Sequence, residues 1–368
     1  SWADQPQLAL AHYDAAFLFL RYFLEHYSRP EDLPHLIGQP ARGAATFDRY
    51  LAQRGASERF RDVFREWVVA NLVDAEPRAP RRYRYSDVDV RVQVTERVAL
   101  PALDQERTVH QYGADYVELV GKGDVVVDVQ GRSPVRLVPA DPRSGRFFWW
   151  SNRGDNADLR LTREVDLRGR DRATLQFWAW WDLETDYDYC YVSASTNGGQ
   201  TWTSLRGRHT TTRNPTGNNL GHGYTGESGG WVEERVDLTP YTGRRIFLRF
   251  ECLTDDAFAG PGFAVDDVRI PEIGWTDDAE ADGGWQAEGF VRTDNRLPQV
   301  FDVQLVEYRG DTLVVRPVPL DEHLHGSAVV RGLGEDVQRA VLVVTASAPA
   351  TLEPAGYTFT VRPYPRIP

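Results

Sequence analysis

Six runs of alternating apolar and polar residues, at 158–165, 173–181, 188–196, 231–237, 245–254 and 262–270, constrain this chain more than any other feature. Successive side chains of a strand point to opposite faces, so a period of two buries one face of a sheet. Gly, Pro, Asp and Asn separate the runs, and Asn197-Gly198-Gly199 marks a tight hairpin. The stretch 214–230, heavy in Gly, Asn and Thr, reads as a long mobile loop. Strands this many and this closely spaced over 147–270 form an antiparallel β-sandwich of jelly-roll type.

The flanks differ from the centre. Leu10, Tyr13, Phe17, Leu20 and Leu24 recur at helical spacing over 8–26, and a short helix follows over 46–53. Ser57 is a suitable N-cap for a third helix running to Leu72, with Phe60, Phe64, Trp67 and Val68 inside. A Pro- and Arg-rich stretch, 77–82, then ends the helical part. Strand-like alternation follows at 88–94, 116–120, 124–129 and 135–139, and again at 300–308, 312–317, 327–332 and 340–346. The expected fold class is mainly β with an N-terminal α-helical subdomain. Its expected domains are 1–80 helical, 81–145 a small β region, 146–272 the jelly roll and 273–368 a C-terminal β domain.

Charge narrows the partners. At 368 residues the chain is long enough for several cores, and its net charge of −12 repels polyanions, so no nucleic acid partner is expected. No apolar run approaches the roughly 20 residues that would cross a bilayer, so no membrane span is expected. Methionine is absent and Lys122 is the only lysine, and we read the chain as a mature or excised segment. Cys190 shares parity with Val192 and Ala194, and Cys252 with Leu248 and Phe250. Both therefore enter one core, as buried free thiols or as a cross-strand disulfide, the thiol reading being placed first.

Catalytic motifs are missing. A zincin helix needs HExxH, and none of the eight histidines supplies it; Glu25-His26 is half a motif. There is no G-x-S-x-G elbow, and the glycines of 217–230 lack the lysine and helix of a phosphate loop. His323 and His325 could share a metal on one strand face, but an exposed strand end is the preferred reading. The run Asp278-Ala-Glu280-Ala-Asp282-Gly283 imitates a calcium loop without its closing glutamate, and reads as a charged turn.

The acids of the central module carry more. Asp155 and Asp158 lie at the entry of one strand, Asp182, Glu184, Asp186 and Asp188 follow another, and Asp266-Asp267 sits within the last. A jelly roll brings its first and last strands together, and calcium takes carboxylate and carbonyl oxygens. Asp266 shares parity with Val268 and Ile270, which predicts an inward carboxylate in need of a cation or dense hydrogen bonding. We therefore expect Asp155, Asp158, Glu184, Asp186, Asp266 and Asp267 to hold a structural calcium ion. Trp178 and Trp180 share the opposite face from Phe177 and Trp181; they suit domain packing first, and a sugar or protein platform second.

These segments also carry a resemblance. Trp149-Trp-Ser-Asn-Arg-Gly-Asp-Asn-Ala-Asp158, Trp180-Trp-Asp-Leu-Glu-Thr-Asp-Tyr-Asp-Tyr189, Ser195-Thr-Asn-Gly-Gly-Gln-Thr-Trp202, Ser228-Gly-Gly-Trp231 and Gly262-Phe-Ala-Val-Asp-Asp-Val268 resemble the MAM-like module of immune inhibitor A-type secreted metallopeptidases. Residues 277–290 are similar to the small β domain that follows the module there. The run 12–27 resembles the helical tail of a bacterial zinc-peptidase domain. The resemblance implies a secreted or cell-surface protein, calcium in the jelly roll, and zinc only in an upstream peptidase domain. Its implied partners are that domain and protein or glycan surfaces. No catalytic residue carries over, because the zinc helix and its glutamate are missing. The competing expectation is a stand-alone adhesion or carbohydrate-binding protein.

Overall fold

The structure is a computed structural model and describes residues 6–364. It is mainly β, with helices near the N-terminus at Pro6–His26, Leu33–Ile37, Ala44–Gln53 and Phe60–Val73. Two compact units divide it: Val138–Arg296, and a second unit made of Leu10–Leu137 together with the chain from Leu297 on.

The first unit is a sandwich of two antiparallel sheets. One sheet runs, in spatial order, Thr203–Ser204, Tyr189–Ser195, Arg245–Leu253, Asp158–Asp166, Gln286–Glu288. The other runs Val232–Asp237, Thr174–Asp182, Gly262–Ile270, Phe148–Trp150, Val291–Thr293. Leu161, Leu175, Phe177, Val192, Leu248, Phe250, Phe263 and Val265 meet between them. Strands of 275–293 thus complete this sandwich, whereas 277–290 was expected in a separate C-terminal domain. They are short and polar outside, so their alternation is too brief to assign from sequence.

Cys190 and Cys252 face each other across two neighbouring strands and form a disulfide, which corrects the free-thiol reading. Each residue's parity was visible in the sequence, but the pairing register was not. The stretch 214–230 is likewise more ordered than its composition implies. Gly223–Tyr224 adds to the edge of Tyr189–Ser195, and the Asn219 side chain donates to Thr211 O and Arg213 O at 3.1 and 2.8 Å. Nearby, the fully buried Glu234 carboxylate accepts the Arg208 and His209 N–H groups, Tyr224 Oη and His209 Nδ1.

In the second unit the regions expected as 81–145 and 273–368 share their sheets. Ala102–Val109, Ala355–Pro363, Gly123–Gly131 and His325–Leu333 form one sheet; Glu96–Ala99, Ala114–Val120, Arg339–Ala346, Phe301–Arg309 and Thr312–Pro317 form the other. Val127, Leu305, Leu342 and Phe359 fill the space between. Antiparallel partners can be far apart in sequence, which is why local patterning split one sandwich into two regions.

The helices cover the outer face of the second of these sheets, where Val306, Tyr308, Val341 and Val343 meet Phe64, Trp67 and Val68. Strand Arg339–Ala346 is therefore apolar on both faces. Among the described side chains of the first helix Tyr22 and Phe23 are buried, whereas Tyr13 and Phe17 are exposed and Leu10 lies outside the residues whose side chains are described. Arg59 instead of Ser57 is the N-cap of Phe60–Val73, its N–H held by Asp62 Oδ2 at 3.0 Å. Residues 88–94 form no strand. Asp74 gathers that segment by accepting the Tyr85 and Val90 N–H groups at 2.7 and 2.8 Å.

Candidate metal centre

Three neighbouring strands of the first unit, Tyr189–Ser195, Arg245–Leu253 and Asp158–Asp166, end on the same side. In their registers Leu253 stands opposite both Tyr189 and Asp158. The chain just outside those ends supplies Asp188, Asp255 and Asp155. Between Glu184 and Asp188 the chain makes a tight turn with Asp186 at φ +67°, closed by the Asp188 N–H donating to Glu184 O at 3.1 Å, which brings these two residues close.

One carboxylate oxygen each of Glu184, Asp188 and Asp255 lies within 4.8 Å of the others. The Asp255 N–H donates to Asp188 Oδ1 at 3.0 Å, while Asp188 Oδ2 is buried without a hydrogen-bond partner. Asp188 is 1% exposed, and burial pushes its carboxyl up to about 7, with the charges of Asp255, Glu184 and Asp155 adding to the effect. Asp155 Oδ1 accepts the Ala259 N–H at 3.0 Å, and Thr254 Oγ1 donates to Gly154 O at 2.6 Å, which ties the 154–155 loop to Asp255.

A buried acid with an unused oxygen beside two more carboxylates needs a proton or a cation. The donors are all oxygen, so a hard cation fits, and calcium tolerates irregular loop geometry better than magnesium. These residues fit the ion expected from the sequence, with a different set of ligands.

Of the six acids singled out by sequence, the structure brings Glu184 into the cluster and Asp155 beside it. Asp158 pairs with Arg160, and Asp186 faces Arg213 at 3.6 Å. Asp266 and Asp267 lie elsewhere. A β-bulge between Asp266 and Arg269, with Asp267 at φ +49°, shifts the alternation by one residue. Phe263 and Val265 before it, and Val268 and Ile270 after it, all enter the core, so Asp266 does not. It accepts the Arg143, Ser144 and Asp267 N–H groups at 2.9, 3.1 and 2.8 Å, and Asp267 Oδ1 accepts the Ser144 hydroxyl at 2.7 Å. Hydrogen bonds supply there what an inward carboxylate would have asked of a cation.

Asp188 stood in the acidic run of the sequence but outside the six expected ligands, and Asp255 stood in neither. The clue was their spacing: two residues before Cys190 and three after Cys252, on strands that a disulfide reading pairs. The aromatic platform is also altered. Trp180 is buried, and Trp178 carries the Arg143 guanidinium 4.0 Å from its ring centroid. His323 is exposed, and both the His323 and His325 N–H groups donate to Asp321 at 2.9 Å, an ordinary polar turn. Glu280 Oε1 similarly accepts the Arg146 and Phe147 N–H groups.

Comparison with known proteins gives a consistent set of relatives. Residues 113–295 match the family described as Immune inhibitor A-like, MAM domain. The chain is 35% identical over 160 residues to the pre-pro-metalloprotease PrtV of Vibrio cholerae serotype O1, covering 43% of this chain and 17% of that one. It is 28% identical over 155 residues to Immune inhibitor A of Bacillus thuringiensis subsp. alesti, covering 41% and 21%. Bacillopeptidase F of Bacillus subtilis matches at 31% over 98 residues, covering 27% and 6%. The chain thus spans about a fifth or less of the relatives it matches.

Proposed function

Since residues 113–295 belong to the immune inhibitor A-like MAM family, we propose that this chain is the non-catalytic C-terminal part of an extracellular zinc metallopeptidase. The observation that carries the reading is the family match, joined by a relative, PrtV, whose name is that of a metalloprotease. The helices would complete a peptidase lobe, and the β units would bind substrate or a surface. The zinc chemistry belongs to an upstream domain, because this sequence holds no HExxH.

Calcium has a structural role in this reading. Glu184, Asp188 and Asp255, with Asp155 beside them, would hold the ion at one end of the jelly roll and remove the repulsion among their carboxylates. No helix among the described residues is long and apolar enough to cross a membrane, which agrees with an extracellular location.

The test of the peptidase reading is the gene. An HExxH helix encoded in frame ahead of Ser1, and phenanthroline-sensitive proteolysis by the full-length product, are the expected results; a reading frame without such a helix removes the proposal. A stand-alone carbohydrate-binding role is disfavoured by the burial of Trp180 and the arginine cover of Trp178.

A further inference from the structure

Strand Asp158–Asp166 is paired along its whole length with Arg245–Leu253, but on its other side only from Arg160 to Thr162, against Gln286–Glu288. The Leu167 N–H donates to Arg244 O across the fully paired side. Antiparallel pairing alternates, so the backbone N–H and C=O groups of Glu164 and Asp166 face the other side, beyond the last paired residue. That stretch of edge opens onto a cleft of about 710 Å³, further lined by Arg163, Arg168, Arg170, Ile273 and Trp275.

Charge around the cleft is opposite to that of the chain as a whole. Asp166 is matched by both Arg168 and Arg245, and Arg245 also lies 3.7 Å from Glu164. Arg163 and Arg170 remain as the cationic excess in a protein of net charge −12. The Arg163 guanidinium lies 4.6 Å from the Trp275 ring centroid, and its Nη1 is buried without a hydrogen-bond partner. With Arg163 over it and Trp285 at 6.0 Å, Trp275 is poorly placed to stack on a sugar, but it still offers an apolar wall.

We propose that this edge receives an extended acidic polypeptide segment as an added strand. The main-chain groups of Glu164 and Asp166 pair with its backbone, Arg163 and Arg170 meet its carboxylates, and Ile273 with Trp275 seats an apolar side chain. The inference narrows the substrate- or surface-binding role proposed for the β units to one surface and one ligand chemistry. It is measured on this chain alone, so it stands or falls separately from the upstream peptidase domain.

The experiment is fluorescence anisotropy with a labelled peptide of alternating Glu and Val. Its lysine counterpart and a version N-methylated at alternate backbone amides serve as controls. The acidic peptide should bind, the two controls should bind at least about tenfold more weakly, and added salt should weaken binding. Arg170→Glu, at an exposed position, should lose about tenfold without unfolding the chain, and Arg163→Ala should do the same if circular dichroism shows it folded. Equal binding of the lysine or N-methylated peptide overturns the proposal. So does no binding of any peptide, the result expected if the charged side chains only guard this edge against pairing.

Discussion

The Asp255 N–H donates to Asp188 Oδ1 at 3.0 Å, joining two acids 67 residues apart in sequence at the ends of paired strands. That bond occupies one oxygen of Asp188 and leaves the other, buried, beside Glu184 and Asp255. An ion there would bind the folded state alone, so its removal should be visible in stability.

Calcium at a hundredfold excess over its dissociation constant should stabilise the chain by about 2.7 kcal/mol, raising the midpoint of this unit by roughly 5–10 °C. Scanning calorimetry with calcium or with chelator checks this. Asp188→Asn and Asp255→Asn should abolish the difference, while Asp266→Asn should keep it. A calcium response that survives both cluster substitutions would exclude these ligands.

The Cys190–Cys252 disulfide closes a loop across the strands that carry Asp188 and Asp255. The paired substitution of both cysteines by alanine should cost about 2–4 kcal/mol in urea unfolding. It should also weaken calcium binding in titration calorimetry, because the register that places both acids is no longer fixed. Unchanged calcium affinity would separate the disulfide from the site.

Glu234→Ala removes a fully buried carboxylate and strands the Arg208 and His209 amides and the Tyr224 hydroxyl. We expect a loss of about 2–4 kcal/mol, with protease sensitivity rising within 205–225. His209→Ala, at a half-exposed partner, should cost only about 0–1 kcal/mol.

Burial pushes the Asp266 carboxyl from 3.8 to about 7 even against three amide donors, with the Asp267 charge also raising it. Its folded value is above its unfolded one, so the folded state holds the extra proton between those two values. The associated stability is present below about 3.8 and is lost as pH climbs to about 7. In chelator, the wild-type midpoint should therefore fall more steeply with pH across that window than the Asp266→Asn midpoint. Equal slopes would show that Asp266 does not titrate there.

The fold class and the strands of the first sandwich were readable because long period-two runs such as 173–181 and 245–254 state which face is buried. Parity failed at Asp266, where one extra residue at the bulge inverted everything after it, and no local pattern marks such an insertion. The candidate metal ligands were half-readable for a related reason. Glu184 lies in a conspicuous acidic run, whereas Asp255 gains its meaning only from a strand neighbour near Asp188. The second sandwich was hidden by distance along the chain: Gly123–Gly131 alternates legibly, yet its partners Ala355–Pro363 and His325–Leu333 come some two hundred residues later.

That distance has a kinetic meaning. Gly123–Gly131 leaves the ribosome well before either strand it pairs with, and the whole of Val138–Arg296 is synthesised in between. The intervening sandwich can close on its own contacts while the earlier strands still wait, their edges unsatisfied. A translation pause or a stop codon before Ala355 would therefore spare the module that carries the Glu184, Asp188 and Asp255 cluster. It would leave Ala102–Val109 without its partner strand, so a strand made before the intervening sandwich becomes secure only after it.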